Sequence, residues 1–194
     1  LFNEETNVAM CEAFLRHGKT DPVTGEFGKS IVFAVSQRHA AKLAQILNAL
    51  AMRKWPGKYA SDFAVQITSN VPDAQNMTVR FSENDLLGNT RFRPHYRSSR
   101  ARVAVTVAMM TTGYDCSDLL NLALMRPVFS PSDFIQMKGR GTRLFTFRAA
   151  FDEDGNDLRP PLEHRKTDFH LLDFFAVCEY FEEKYDYTEP IEPP

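Results

Sequence analysis

Two arginines three residues apart, Arg140 and Arg143, close the run Gln136-Met137-Lys138-Gly139-Arg140-Gly141-Thr142-Arg143. Guanidinium groups are planar, permanently charged forks that hold oxygens in pairs, so two of them on a glycine-loosened helix end suit a polyphosphate. Upstream, Ser130-Pro131-Ser132-Asp133 predicts the start of that helix. Serine caps the free N–H groups, proline takes the first helical position, and an acid follows three residues after the cap. Gln136 and Arg140 then share a face one turn apart, and Gly139 and Gly141 let backbone or phosphate come close. In isolation the pattern fits an amphipathic helix with solvated arginines equally well. What the rest of the chain builds around it decides.

A chain of 194 residues with 43% apolar content can bury one substantial core. Aromatic content of 12%, with sixteen phenylalanines, argues for a folded domain. The net charge of −2 excludes a global basic field, so any surface for nucleic acid must be local. Cys11, Cys116 and Cys178 are odd in number and lack metal-ligand spacing. That fits a reducing, cytoplasmic setting and gives no metal site. No apolar run reaches membrane-spanning length, so no membrane partner is expected. The chain opens Leu1-Phe2-Asn3 and ends Glu192-Pro193-Pro194, which leads us to expect a piece of a longer protein.

Apolar spacing predicts a helix over 6–17, closed by Gly18, and a fully buried strand over 31–35. An amphipathic helix over 37–54 carries Ala40, Leu43, Ile46, Leu47 and Leu50 on one side. A second strand over 63–67 runs into Thr68-Ser69, and a short helix follows over 73–81. Residues 84–102, with five arginines and His95, read as a loop for which a solvated role is favoured over DNA contact. Strands over 103–107 and 122–125, a charged hairpin or loop over 148–167, a strand over 169–173 and a helix over 174–185 complete the order. Strands alternating with helices predict an α/β fold with a parallel sheet wrapped on both faces. In such sheets ligands gather at the carboxyl ends of the strands. Ser36-Gln37-Arg38, Thr68-Ser69 and 111–115 are therefore expected on one edge, together with the arginine helix.

Gly28-Lys29-Ser30 imitates the end of a phosphate loop and fails twice. The glycine required five positions earlier is Val23, and the glycines precede a strand instead of following one. Without that loop, and with no Asp-Glu pair closing a strand, the chain is not expected to hydrolyse ATP alone. Glu182 and Lys184 superficially suggest a nuclease pair but sit at opposed helical positions.

The order of these features resembles the second RecA-like domain of superfamily-two helicases and translocases: a strand ending in Ser36, another in Thr68-Ser69, then Thr-Thr-Gly-Tyr-Asp, then Gln-x-x-Gly-Arg-Gly-x-Arg. Residues 105–143 are similar to the motor (R) subunit of type I restriction enzymes. The matching runs are Met109-Met110-Thr111-Thr112-Gly113-Tyr114-Asp115-Cys116, Asn121-Leu122-Ala123-Leu124-Met125-Arg126-Pro127 and Asp133-Phe134-Ile135-Gln136. The likeness extends through 31–48 and 173–183, and so across most of the chain.

The resemblance implies a RecA-like domain over 1–186, with a linker over 187–194. It implies that Arg143 is an arginine finger, Arg140 a second phosphate contact and Gln136 the polar residue opening the motif. Gly113, Asp115 and Gly139 would border the nucleotide. Ser36, Gln37, Arg38, Thr68, Ser69, Thr111 and Thr112 would grip a DNA backbone. Ala108 departs from the Asp or Asn usual there, which removes a contact from the carry-over. The implied cofactors are ATP and Mg2+, shared with a first RecA-like domain absent from this chain. The implied partners are double-stranded DNA and the methyltransferase and specificity subunits of a restriction complex; the family's nuclease would lie elsewhere in the subunit. Two other readings stay open: a repair or RNA helicase domain, and a docking module for methyltransferase subunits without catalysis. A Rossmann nucleotide-binding module ranks behind both, since the early glycine fingerprint is missing.

Overall fold

The structure, a computed structural model, describes residues 3–93, 96–107, 116–152 and 154–184, with backbone alone for 89–97 and 182–184. Five strands form one parallel sheet: β1 (Ser30–Ala34), β2 (Ala64–Gln66), β5 (Val103–Thr106), β6 (Asn121–Met125) and β9 (His170–Asp173), in the order β2-β5-β1-β6-β9. Register pairs Ile31 with Ala104 on one side and with Leu122 on the other.

The continuous apolar strands are explained by two cores, one on each face. Ile31, Phe33, Ala104, Leu122 and Leu124 point into one core, where α3 (Ala74–Ser82), α4 (Pro131–Gly139) and α5 (Val177–Lys184) supply Phe81, Phe134, Met137 and Phe181. Val32, Ala34, Val105, Ala123 and Met125 point into the other, against Phe14 of α1 (Glu4–His17) and Leu43, Leu47 and Leu50 of α2 (Gln37–Lys54). Each large aliphatic or aromatic side chain buried this way contributes about 1.5–3 kcal/mol.

Polar residues organise the amino ends of the strands. Asn121, fully buried, accepts from the Lys19 N–H at 2.7 Å and donates to the Lys19 carbonyl at 3.1 Å and to Ser30 Oγ at 3.0 Å. Gly28 sits beneath it because a Cβ there would lie 2.6 Å from the Lys19 carbonyl oxygen and 2.8 Å from Leu120. The phosphate-loop imitation is thus a packing site. Lys29, inside it, pairs with Asp118 at 2.9 Å.

Two expectations are corrected. Residues 84–102 are not a loop: β3 (Asn89–Arg93) and β4 (Tyr96–Ser99) form an antiparallel hairpin. Nor are all its arginines solvated. Arg102 is buried, donating to the Phe27 carbonyl at 2.8 Å and to Ser98 Oγ at 3.2 Å, while Arg100 pairs with Asp62. The second insertion is the hairpin alternative, β7 (Thr146–Phe151) with β8 (Asp157–Arg165), and begins slightly earlier than expected. The closing helix α5 starts at Val177, held by Asp173, whose carboxylate accepts from the Phe175 and Cys178 N–H groups at 3.0 and 2.7 Å. Among the described residues, no helix is long and apolar enough to cross a membrane. None of them form a His, Cys, Asp and Glu cluster that could hold a metal ion.

Candidate functional site

At the carboxyl edge, the ends of β1 and β2 bring Ser36, Gln37, Thr68 and Ser69 together. Ser36 caps α2, its Oγ accepting from the His39 N–H at 3.2 Å. Gln37 Nε2 donates to Ser69 Oγ at 3.1 Å, and Gln66 Nε2 donates both to the Gln37 carbonyl at 3.1 Å and to Thr68 Oγ1 at 2.8 Å. Thr68 is buried and donates to Asn70, so the outward hydroxyl of the pair belongs to Ser69. Arg38 is exposed beside Ser36, on an open groove of about 740 Å3 that Lys42 and His39 also border.

His39 keeps this corner in place. The Val35 N–H donates to its Nδ1 at 3.2 Å, which assigns the proton to Nε2, 3.0 Å from Asn7 Oδ1. Burial lowers its pKa below the ordinary imidazole value, in keeping with the neutral ring. Sequence reasoning missed Gln66, Asn70 and His39. A glutamine ending an otherwise apolar strand was the available signal.

The arginine helix begins at this same edge, where Ser130 Oγ accepts from the Asp133 N–H at 3.4 Å, but does not stay there. A helix that follows a parallel strand must run back along the sheet. The nine residues of α4 cover about 13 Å, close to the length of five-residue β6. Arg140 and Arg143 are therefore delivered to the amino edge, and the expectation of a single shared edge is corrected.

The end of α4 tightens: the Arg140 and Gly141 N–H groups donate to carbonyls three residues back, those of Met137 and Lys138, at 3.2 and 3.0 Å. Phe134 and Met137 face the core, whereas Gln136 and Arg143 are exposed and Arg140 is half-buried. Gly139 opens onto empty space. Gly141 does not: a Cβ there would meet the Phe169 ring at 2.2 Å, so this glycine serves packing and not ligand approach. Past it, Arg143 borders a cleft of about 310 Å3 with Lys166, Thr167, Asp168 and Phe169. Asp168 pairs with Lys19. Lys166 and Phe169 carried no signal in the sequence.

Gly113, Asp115, Thr111, Thr112 and Ala108 lie outside the described residues, as do the side chains of Glu182 and Lys184. Where description resumes, Cys116 and Asp118 are at the amino edge. The Asp118 carboxylate accepts from Asn84 Nδ2 at 2.8 Å and from Cys116 Sγ at 3.0 Å. Burial pushes the Asp118 pKa up, but Lys29 and these two donors outweigh it and hold the carboxyl below its ordinary range.

A five-stranded parallel sheet in this order, with helices on both faces, is a RecA-like α/β fold. The C-terminal domain of the DEAD-box protein Dbp5 shares the fold, with a TM-score of 0.54 and 12% identity over 96% of this chain and 82% of that one. No protein-family model matches the chain. The chain is nevertheless a homologue of the type I restriction enzyme endonuclease (HsdR) subunits. It is 31% identical over 142 residues to the type I restriction enzyme EcoKI endonuclease subunit of Escherichia coli, a match covering 71% of this chain and 10% of that subunit. A fragment described as an HsdR subunit of a type I restriction enzyme from Vibrio vulnificus matches with a TM-score of 0.56 and 25% identity, over 97% of this chain and 31% of that one. The chain thus spans about a tenth of the curated relative it matches.

Proposed function

We propose that this chain is the second RecA-like motor domain of an ATP-dependent, double-stranded DNA translocase acting within a type I restriction complex in the cytoplasm. The observation that carries the reading is the outward face of α4 together with the turn that follows it. Gln136 and Arg143 are exposed and Gly139 is open, while Phe134 and Met137 bury the opposite face. Such a face presents cations to a second body without disturbing its own core.

In this reading ATP and Mg2+ are held chiefly by the first RecA-like domain of the same subunit, and Gly113, Asp115 and Gly139 border the nucleotide. Arg143 is the finger, Arg140 the second phosphate contact and Gln136 a polar positioner. Phosphoryl transfer is catalysed mainly by positioning and charge neutralisation, so a finger on a separate domain makes hydrolysis depend on closure. Ser36, Gln37, Arg38, Thr68, Ser69, Thr111 and Thr112 form the backbone grip. Hydroxyls and helix N-termini hold phosphates without reading bases, as a translocase requires. The described part of the clasp, Arg140 and Arg143, and the described part of the grip, Ser36, Gln37, Arg38, Thr68 and Ser69, then lie at opposite borders of the sheet, and closure at one border moves the other. The methyltransferase and specificity subunits are the remaining partners.

Arg143→Ala in the full-length subunit tests this. Loss of DNA-stimulated ATPase by about 10³–10⁵ is expected. Intact ATPase would leave only a docking role, and strand displacement by the unmodified subunit would favour a repair or RNA helicase.

A further inference from the structure

The segment after Asp115 and the segment after Arg143 are joined through one lysine. Lys166 is 4% exposed. Its Nζ donates to the Ser117 carbonyl at 3.0 Å, and its backbone N–H donates to the Phe145 carbonyl at 2.8 Å. The same side chain borders the Arg143 cleft. Asp118 attracts its charge from nearby, but the direct contacts to that carboxylate come from Lys29 at 2.9 Å, Asn84 and Cys116, and the Lys166 ammonium donates instead to the Ser117 carbonyl. Burying a second ammonium is costly, and an apolar chain of similar length would fill the space at lower cost.

We propose that Lys166 is a positioning residue: it fixes the 116–118 segment against the 143–145 segment, so that both parts of the nucleotide clasp keep one relative placement. The inference rests on the function proposed above. Burial drives the Lys166 pKa down to about 8, with Asp118 and Cys116 pulling it back up and Lys19 pushing it down. The charged and titratable groups facing it are Asp118 and Cys116 of the loop before β6, Lys29 before β1, Lys19 after α1, and Arg143 and Asp168 of the cleft. The charge on this link is therefore lost within the range where the enzyme can be assayed.

The test uses the full-length subunit with saturating DNA, and Lys166→Met and Lys166→Arg variants. For Lys166→Met we expect kcat for ATP to fall on the order of 10- to 100-fold, the size of effect that a small misplacement produces, with KM nearly unchanged. The unmodified subunit loses rate as pH rises through about 8. Lys166→Arg restores most of the rate at neutral pH and abolishes that alkaline limb, because a guanidinium does not titrate there. Wild-type turnover by Lys166→Met, or the same limb in Lys166→Arg, overturns the proposal. If Lys166→Met does not fold, the Lys166→Arg profile alone decides. Should Arg143→Ala abolish ATPase while both Lys166 variants behave as wild type, the motor reading stands and this inference falls.

Discussion

Lys29 Nζ lies 2.9 Å from Asp118 Oδ2 and 5.4 Å from the centre of the Phe81 ring, with almost none of the lysine exposed. Removing one partner of such a pair leaves an uncompensated buried charge. Lys29→Met is therefore expected to cost about 3–5 kcal/mol, and the double variant with Asp118→Leu to recover part of it. Urea denaturation of the domain measures both.

Gly141→Ala forces a methyl into the Phe169 ring, 2.2 Å from its nearest carbon. The atoms met include Cγ, at 2.5 Å, which rotation of the ring about its own axis does not move, so a loss of about 1–3 kcal/mol is expected. Combining it with Phe169→Ala should cost less than the two changes summed. Strict additivity in denaturation midpoints would show that ring and glycine are not coupled.

At the carboxyl edge the two hydroxyls have different duties. Ser36→Ala removes an N-cap and should lower stability by about 0.5–2 kcal/mol. Ser69→Ala, at an exposed position, should stay within about 0.5 kcal/mol of wild type. In the full-length subunit, Arg38→Ala should reduce the salt slope of DNA binding by about one. Fluorescence anisotropy across a salt series reads this, and an unchanged slope removes Arg38 from the grip.

Stability should rise with pH through separate windows set by three groups. The folded-state pKa values of His39 and Asp118 are lowered, so each contributes stability that is present above its unfolded value and lost as pH falls through its folded one. Lys166 is also lowered, to about 8, so between there and its ordinary value of 10.5 the unfolded chain binds more protons and stability rises with pH. As pH falls, denaturation midpoints should decline through the Lys166 window and again below the ordinary histidine range, and His39→Gln should remove that second step.

Cys11 should resist alkylation, since burial pushes its thiol up to about 12 and Glu12 adds to the effect. Cys178, half-buried near the start of α5, should label first. Peptide mass spectrometry after brief iodoacetamide exposure gives the order.

The sheet and its two faces were legible because strands buried on both sides must be apolar throughout, as Ile31–Ala34 and Leu122–Met125 are. The capped start of α4 was legible from local chemistry at Ser130 and Pro131. What escaped was the use of polar residues as core. Arg102, Ser98 and Ser99 look solvated in a linear reading, yet they are buried, with Arg102 and Ser98 bonded to each other and Glu26 accepting from Ser98. Glu26 and the Phe27 carbonyl, which Ser98 and Arg102 reach, lie far away in sequence, so no local pattern announces these bonds. Lys166 was hidden for the same reason: its partners come from two other segments. The direction of α4 needed only chain geometry, which a motif read as a flat string does not supply.

Both hairpins leave from the amino edge: β3–β4 between Gly88 and Arg100, whose backbones bond at 2.9 Å, and β7–β8 between Phe145 and Lys166, at 2.8 Å. Each is closed at its base, so its tip can change without moving a sheet strand. The turn at Asp152, whose carboxylate accepts from the Asp154 and Asn156 N–H groups, accordingly offers a handle. A fluorophore attached through a cysteine at exposed position 154 would leave the sheet strands untouched, and paired with a second dye elsewhere on the subunit it would give a distance trace on which the proposed closure can be followed.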